Sequence, residues 1–206
     1  MIARDASLRW VLLAASGEQR VDPAPATISS ERLDACRRGD RGALDEVFRA
    51  HAAAIERLLS RVVGPRADVE DLLQETFAAA IEAFPRFRGE ASVKTWLHRI
   101  ALNVAHKHLR HPRHRRDVPL EDVHEAEAPM VAAQWGLAAR LYVHLDTLDA
   151  RKRIAFVLHV VGELPIAEIA ALTGASKAAT KSRIFWARRA LLKRLERDPA
   201  FQGEPR

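Results

Sequence analysis

Apolar residues recur at helical spacing through most of this chain. The clearest stripe consists of Val69, Leu72, Leu73, Phe77, Ala80, Ile81 and Phe84. Residues three and four apart share one face of an α-helix, whereas strands need alternation of apolar and polar residues, which is nearly absent here. The pattern therefore predicts an all-α protein. Two runs of helical pattern, residues 30–116 and 137–198, predict two small helical domains.

The segments outside these two runs differ in composition. Residues 1–29 include the sequence VDPAPAT and predict a flexible leader, with a functional arm as the less favoured alternative. Residues 117–136 contain five carboxylates and two prolines without a clear apolar period. They predict a flexible acidic linker, and residues 199–206 predict a tail.

The helix predicted from Asp68 to Phe84 has an acidic outward side. Asp68 is placed to cap this helix, and Pro85 is placed to end it. The polar positions opposite the apolar stripe are Glu70, Asp71, Gln74, Glu75 and Glu82. Carboxylates four residues apart repel each other, so this side is better explained by a cationic partner than by helix stability.

A basic helix follows the loop FRGEA, with Ser92 as its cap and Pro112 as its limit. Its predicted buried stripe is Val93, Trp96, Leu97, Ile100, Ala101 and Val104. From Arg86 to Arg116 there are nine Lys or Arg and five His against one carboxylate. Such a run repels itself in isolation, which predicts a polyanion as its partner.

Residues 165–195 have the pattern of a helix-turn-helix. A short helix from Pro165 to Leu172 is followed by a tight turn at Gly174 and by a longer helix. The inward positions of the longer helix are Ile184, Ala187, Leu191 and Leu195. Eight Lys or Arg between Ser176 and Arg197 suit the major groove of DNA and its phosphates. Because many helical hairpins share these features, the pattern alone leaves DNA binding undecided.

The blocks DLLQETF and FRGEASVKTWLHRIALN, in this order and spacing, resemble region 2 of the bacterial RNA polymerase sigma factors of the extracytoplasmic-function (ECF) group. KSRIFWARRAL resembles their region 4, so the resemblance covers roughly residues 30–116 and 137–197. It implies a factor that binds core RNA polymerase and directs promoter recognition, DNA melting and transcription initiation. One departure is that Ala179 and Thr180 stand where the family usually has Thr and then Val.

The resemblance also implies partners and three sets of site residues. The partners are the β′ and β subunits of core RNA polymerase, promoter DNA and an anti-sigma factor. The polymerase contact is assigned to Asp71, Leu72, Gln74 and Glu75. Capture of the minus-10 strand is assigned to Phe87, Arg88, Gly89, Lys94, Trp96, Arg99, Asn103, Lys107 and Arg110. Reading of the minus-35 element is assigned to Ser176, Lys177, Lys181, Ser182, Arg183 and Arg188. Trp96 also lies in the apolar stripe, so a core role stays open beside base stacking.

Several kinds of chemistry are excluded by composition. The single cysteine, Cys36, excludes an intramolecular disulfide and a paired-cysteine zinc site. We find no phosphate-cradling glycine loop, no metal-binding carboxylate cluster and no nucleophile beside a base, so we expect neither cofactor, nor metal, nor enzymatic activity. The net charge of +6 favours an anionic partner. The apolar stretch from Trp10 to Ala15 is too short to cross a membrane, so we expect no membrane insertion. The single cysteine fits a reduced, intracellular setting, and we expect a cytoplasmic protein.

The alternative from another class is an autonomous helix-turn-helix repressor or activator that reads duplex DNA as a dimer. That alternative accounts for residues 137–197, but it leaves the acidic helix joined to a basic one unexplained. Co-purification separates the two hypotheses, because a sigma factor should bring down core RNA polymerase and a repressor should not.

Overall fold

A computed structural model describes residues 28–64, 67–110 and 129–202. The regular secondary structure in these ranges consists of eight α-helices and two short 3-10 turns. The predicted all-α class is therefore confirmed. The described residues fall into two compact units, of which the first ends at Ala105. Nearly all of the predicted leader, and residues 117–128 of the predicted linker, lie outside the described ranges.

The first unit is built from helices whose bounds follow the predicted capping signals. They are α1 (Ser30–Arg37), α2 (Arg41–Val63), α3 (Val69–Ala83), a 3-10 turn (Phe84–Arg86) and α4 (Val93–Arg110), and the boundary at Ala105 falls within α4. Asp40 caps α2 by accepting a hydrogen bond from the Ala43 N–H at 2.8 Å, and Asp68 caps α3 through the Asp71 N–H at 3.2 Å. Gly64, with φ of 90°, ends α2 in a conformation that favours glycine.

Helix α3 packs mainly on α2, and the stacked rings of Phe48 and Phe77 lie 4.6 Å apart between them. Ile55, Leu59 and Leu97 are fully buried in this unit. Burial of one such side chain contributes about 1.5–3 kcal/mol, so the inward stripe is what holds the unit together.

The buried stripe of α3 differs from the predicted one at two positions. Ile81 was expected to face inward, but its side chain is 49% exposed, and Thr76 is fully buried instead. The buried side of α3 is formed by Leu72, Thr76 and Ala80, which are spaced four residues apart. The Thr76 hydroxyl donates to the Leu72 carbonyl at 2.7 Å, so a polar residue can occupy this place with its hydrogen bond satisfied.

The second unit contains four helices and a closing turn. They are α5 (Pro129–Asp146), α6 (Ala150–Val160), α7 (Ile166–Thr173), α8 (Lys177–Leu195) and a 3-10 turn (Pro199–Phe201). Helix α8 packs on α6 and α7 and also contacts α5. The core of the second unit is centred on Leu141, Phe156, Ile169 and Leu191, which are all fully buried. None of the described helices is long and apolar enough to cross a membrane.

Helix α5 begins at Pro129, so residues 129–136, which the composition predicted as linker, are helical. Proline is tolerated in the first turn of a helix, because the N–H that it lacks would have no partner there. The residues that follow are rich in alanine, the best helix former. The missing apolar period on which the linker prediction relied therefore does not exclude a helix, because the helix propensity of these residues is high.

The end of the second unit is tied to α5 through Asp198. Its carboxylate accepts hydrogen bonds from His144 Nε2 at 2.7 Å and Arg140 Nε at 3.4 Å, and the rings of Phe201 and His144 meet edge to face. Burial alone would raise the pKa of Asp198, but hydrogen bonds from His144, the Ala200 N–H and Arg140 outweigh it and lower the pKa. The first residues of the predicted tail therefore pack on this unit.

Candidate polymerase and nucleic-acid interfaces

The acidic face of α3 is the first candidate interface. We define it by its exposed polar side chains, Glu70, Asp71, Gln74, Glu75 and Glu82. Ile81 lies seven residues beyond Gln74, almost in line with it, and adds an exposed apolar side chain to this face. Leu72, which the resemblance assigned to the polymerase contact, is only 4% exposed. Its side chain therefore supports α3 from inside and is unavailable to a partner.

The glycine loop, residues 87–92, connects the 3-10 turn to α4. Gly89 has a φ of 76°, a left-handed conformation that favours glycine, and Arg88 next to it is exposed. Phe87 was assigned to capture of the minus-10 strand, but its side chain is only 7% exposed. The Phe87 ring is therefore the floor of the loop rather than a surface that a base could contact.

Phe87 belongs to an aromatic cluster with Phe84 and Trp96. The centroids of Phe84 and Phe87 lie 5.7 Å apart, and Trp96 lies 5.0 Å from each of them. Edge-to-face and tilted arrangements at these distances are favourable for aromatic rings. Trp96 remains half-buried, so its packing supports the core role while part of the indole still reaches the surface.

The basic row of α4 is the second candidate interface. We define it as the exposed side chains Arg99, Asn103, Lys107 and Arg110. At 3.6 residues per turn, the spacing of four, four and three residues keeps this row within a narrow arc. It continues the line on which Trp96 lies. The structure thus brings together these four predicted residues on one side of α4.

Lys94 is separated from the basic row by the twist of the helix. It is half-buried, and its charge acts on two histidines, His51 and His98. Burial first, and then the charges of Lys94 and His51, lower the pKa of His98 to about 4. His98 is therefore neutral at pH 7, and Lys94 acts on His51 of α2 rather than belonging to the basic row.

The helix-turn-helix forms the third candidate interface. Gly174 closes α7 in the left-handed conformation with φ of 62°, and the Ala175 N–H donates to the Ala170 carbonyl at 3.0 Å. Ser176 then caps α8 by accepting a hydrogen bond from the Ala179 N–H at 3.1 Å. The turn and the start of α8 lie where the sequence pattern predicts them.

Thr180, the departure from the family pattern, is fully buried. Its hydroxyl donates to the Ser176 carbonyl at 3.0 Å, so the buried oxygen is satisfied within the helix. Threonine has nearly the shape of valine, and the packed position is therefore kept. Thr180 therefore contributes nothing to the outward side of α8.

The outward face of α8 lies opposite its buried stripe and consists of Lys181, Ser182, Phe185, Trp186 and Arg189. Phe185 is 56% and Trp186 50% exposed, and their rings meet edge to face at 5.2 Å. The Arg189 guanidinium lies 5.7 Å from the Trp186 ring centroid, within the range of a cation–π contact. Two solvent-exposed aromatic rings beside cationic side chains are typical of a contact surface.

Sequence reasoning found only part of that face. Lys181 and Ser182 lie on it, whereas Arg183 and Arg188 are half-buried at its edges. Phe185, Trp186 and Arg189 were missed because the assignment followed charge and family position. The signal was present in the helical period, since these residues lie opposite the inward positions of α8.

An exposed acidic face, a basic row and a helix-turn-helix are the features expected of a DNA-binding transcription factor. Within the described ranges, no group of three or more His, Cys, Asp or Glu side chains could hold a metal ion. The family model of Sigma-70 region 2 matches residues 47–116, and that of Sigma-70, region 4 matches residues 139–191.

Known proteins resemble this chain over most of its length. The ECF RNA polymerase sigma factor SigM of Mycobacterium tuberculosis is 31% identical over 167 residues, which cover 81% of this chain and 84% of SigM. The structure of CnrH in complex with the cytosolic domain of CnrY is 28% identical, with a TM-score of 0.57, and covers 82% of this chain and 97% of that one. The sigma factor RpoE of Bartonella quintana, solved with the anti-sigma factor NepR, is 21% identical with a TM-score of 0.50 over 78% of this chain and 99% of RpoE, and supports the fold alone.

The chain therefore belongs to the ECF group of RNA polymerase sigma factors. Both matched segments are sigma-factor regions, and they include the acidic and basic helices that a repressor leaves unexplained. The comparisons support the sigma-factor interpretation and not the autonomous repressor.

Proposed function

We propose that this sigma factor binds core RNA polymerase through the acidic face of α3, opens the minus-10 region with the glycine loop and α4, and reads the minus-35 element with α8. The observation that carries the proposal is the presence, on the consecutive helices α3 and α4, of an exposed acidic face and an exposed basic row. Two faces of opposite charge fit two different partners, a cationic protein surface and a nucleic acid. The chain then works by binding, and catalysis belongs to the polymerase.

The acidic face is proposed to contact the β′ subunit, with the β subunit as a further contact of the complex. Complementary charge steers such an encounter and fixes its register. Ile81 and Gln74 lie beside the carboxylates and would supply apolar and hydrogen-bonding contacts. An anti-sigma factor is a further proposed partner, because sigma-factor membership supports it. A cytoplasmic location follows from the proposed contact with the polymerase.

Promoter opening requires that an extruded base be held while the duplex unstacks. Unstacking costs on the order of a few kcal/mol per base, which contacts to the base and the backbone must offset. Arg88 in the loop and the basic row on α4 are exposed cations close along the chain. We assign the phosphates of the non-template strand to this row and the base to the rim of the loop.

Replacing Arg99 and Lys107 by alanine is expected to weaken capture of the minus-10 single strand. Each lost phosphate contact should lower the salt dependence of binding by roughly one unit, because fewer counterions are released. Binding of core RNA polymerase should be unchanged. Permanganate footprints of the holoenzyme on its promoter check the opening, and a salt titration with single-stranded DNA checks the slope.

The matched control for this experiment carries Arg41→Ala and Arg49→Ala, two exposed cations of α2. It loses the same net charge in the same unit, away from the basic row. A normal transcription bubble with Arg99→Ala/Lys107→Ala, or an equal loss with the control, would argue against a specific role for the row.

The outward face of α8 is expected to read thymine methyl groups through Phe185 and Trp186. Apolar side chains distinguish thymine by its C5 methyl, which lies in the major groove. Replacing minus-35 thymines by deoxyuridine removes only this methyl, so holoenzyme affinity should fall by about fourfold per contacted methyl, from about 0.8 kcal/mol for one buried carbon. The same exchange should have little effect when the enzyme carries Phe185→Ala and Trp186→Ala.

The control for the methyl experiment places deoxyuridine in the spacer between the two promoter elements. A loss from deoxyuridine that is equal in the wild type and in the double alanine variant would show that the aromatic pair does not read the methyl groups.

A further inference from the structure

Arg37, the last residue of α1, reaches across to the glycine loop. Its Nε donates a hydrogen bond to the Phe87 carbonyl at 2.9 Å, over a separation of 50 residues in the chain. Its Nη1 is paired with the Asp34 carboxylate at 2.5 Å, which orients the guanidinium from the other side. Helix α1 also packs on the 3-10 turn that leads into the loop.

The same guanidinium lies beside two further features of the loop. The Arg37 Cζ is 6.0 Å from the centroid of the Phe87 ring. The Arg37 Nη2 lies 3.9 Å from the position that a Cβ atom would occupy if Gly89 carried a side chain. The peptide that follows Phe87 is planar, so a fixed Phe87 carbonyl also fixes the direction in which the backbone enters Arg88. The loop is thus held from below by the aromatic cluster and from the side by Arg37.

We propose that Arg37 is a positioning residue for the glycine loop. It holds the Phe87–Gly89 backbone in the conformation that captures the extruded base of the minus-10 strand. This inference rests on the proposed function of the loop. Arg37 lies outside residues 47–116, the segment that the region 2 model matches. A binding loop that is held before the ligand arrives loses less conformational entropy on binding, and its selectivity depends on the groups that hold it.

The test compares four holoenzymes: wild type, Arg37→Met, Arg37→Lys and Arg38→Met. Methionine keeps an unbranched chain over the Phe87 ring but has no N–H donor, and lysine keeps the charge but lacks the planar fork that serves the Phe87 carbonyl and Asp34 together. Arg38 is the exposed neighbour, and its replacement removes the same charge. The probe is a forked DNA with the minus-10 strand unpaired, taken from the best promoter that the wild-type holoenzyme selects from a random library.

The measured quantity is the ratio of affinities for this fork and for a fork with a scrambled minus-10 strand. Both Arg37 variants are expected to lower the ratio by about tenfold, the effect of losing one hydrogen bond from a charged donor, and Arg38→Met is expected to leave it unchanged. Core binding and minus-35 dependence should match those of the wild type. Circular dichroism at the assay temperature verifies the fold, and Arg37→Lys carries the test if Arg37→Met is unfolded.

Three outcomes would overturn the inference. An unchanged ratio with a lower melting temperature would make Arg37 a residue of stability only. Full recovery with Arg37→Lys would make it a simple charge that attracts DNA. A wild-type holoenzyme that does not distinguish the two forks would overturn the minus-10 role of the loop itself, and the positioning role with it.

Discussion

Replacing Asp71 and Glu75 by lysine is expected to abolish binding of core RNA polymerase while leaving the helical fold intact. Both side chains are exposed on the acidic face of α3, so their replacement leaves the buried stripe of that helix undisturbed. Reversal puts like charges opposite each other in the complex, which costs several kcal/mol. A loss of about 3 kcal/mol already corresponds to a decrease in affinity of more than a hundredfold. Fluorescence titration of labelled protein with core enzyme measures the effect.

The matched control for the charge reversal carries Glu31→Lys and Glu56→Lys, exposed carboxylates on α1 and α2. It changes the net charge by the same amount, so a general electrostatic effect would lower affinity equally in both proteins. Lysine in the first turn of α3 opposes the helix dipole by about 0.3–1 kcal/mol, and helicity is therefore checked by circular dichroism. Unchanged core affinity in a folded Asp71→Lys/Glu75→Lys protein would refute the assignment of the acidic face.

The purified protein alone is expected to bind duplex promoter DNA with little specificity and to become specific only in the polymerase complex. A single recognition helix such as α8 offers two or three good base contacts at about 1–3 kcal/mol each. This total stands little above the attraction of its cations for any phosphate backbone. The basic row cannot add specificity on a closed duplex, because its proposed target is a separated strand.

Core enzyme is expected to change this result because it would set the distance between the two DNA-binding units. The acidic composition of residues 117–128 predicts a flexible connection, which gives neither unit a high effective concentration at the other's site. The measurement is a gel-shift assay at physiological salt, with promoter and scrambled DNA, in the presence and absence of core enzyme. Thousandfold discrimination by the free protein would favour the autonomous repressor.

Most helix boundaries could be predicted from the sequence because capping is local. The side chains of Asp40, Asp68 and Ser176 each reach an N–H three residues ahead, and Gly174 adopts the left-handed backbone that ends α7. These interactions depend on neighbours within one turn and need no knowledge of the rest of the fold. The all-α class follows from the same local periodicity.

The composition of the interfaces could be predicted from the sequence only in part. Exposure of Asp71, Gln74 and Glu75 follows from their charge and from their place opposite the apolar stripe. Whether an apolar residue at the border of a stripe is buried depends on the helix packed against it. This explains why Leu72 is buried and Ile81 exposed although both belong to the predicted stripe.

The fate of the aromatic residues was decided by tertiary packing. Phe87 and Phe185 are chemically identical, yet the first is enclosed by Phe84 and Trp96 and the second is exposed on the outward face of α8. The hydrogen bond from Arg37 to the Phe87 carbonyl joins residues 50 positions apart, and no local sequence pattern predicts it. Local patterns in the sequence were thus enough to predict the helices, their charged faces and the family. Which side chains on those helices remain available to a partner depends on tertiary packing, because burial requires contacts between elements distant in the chain.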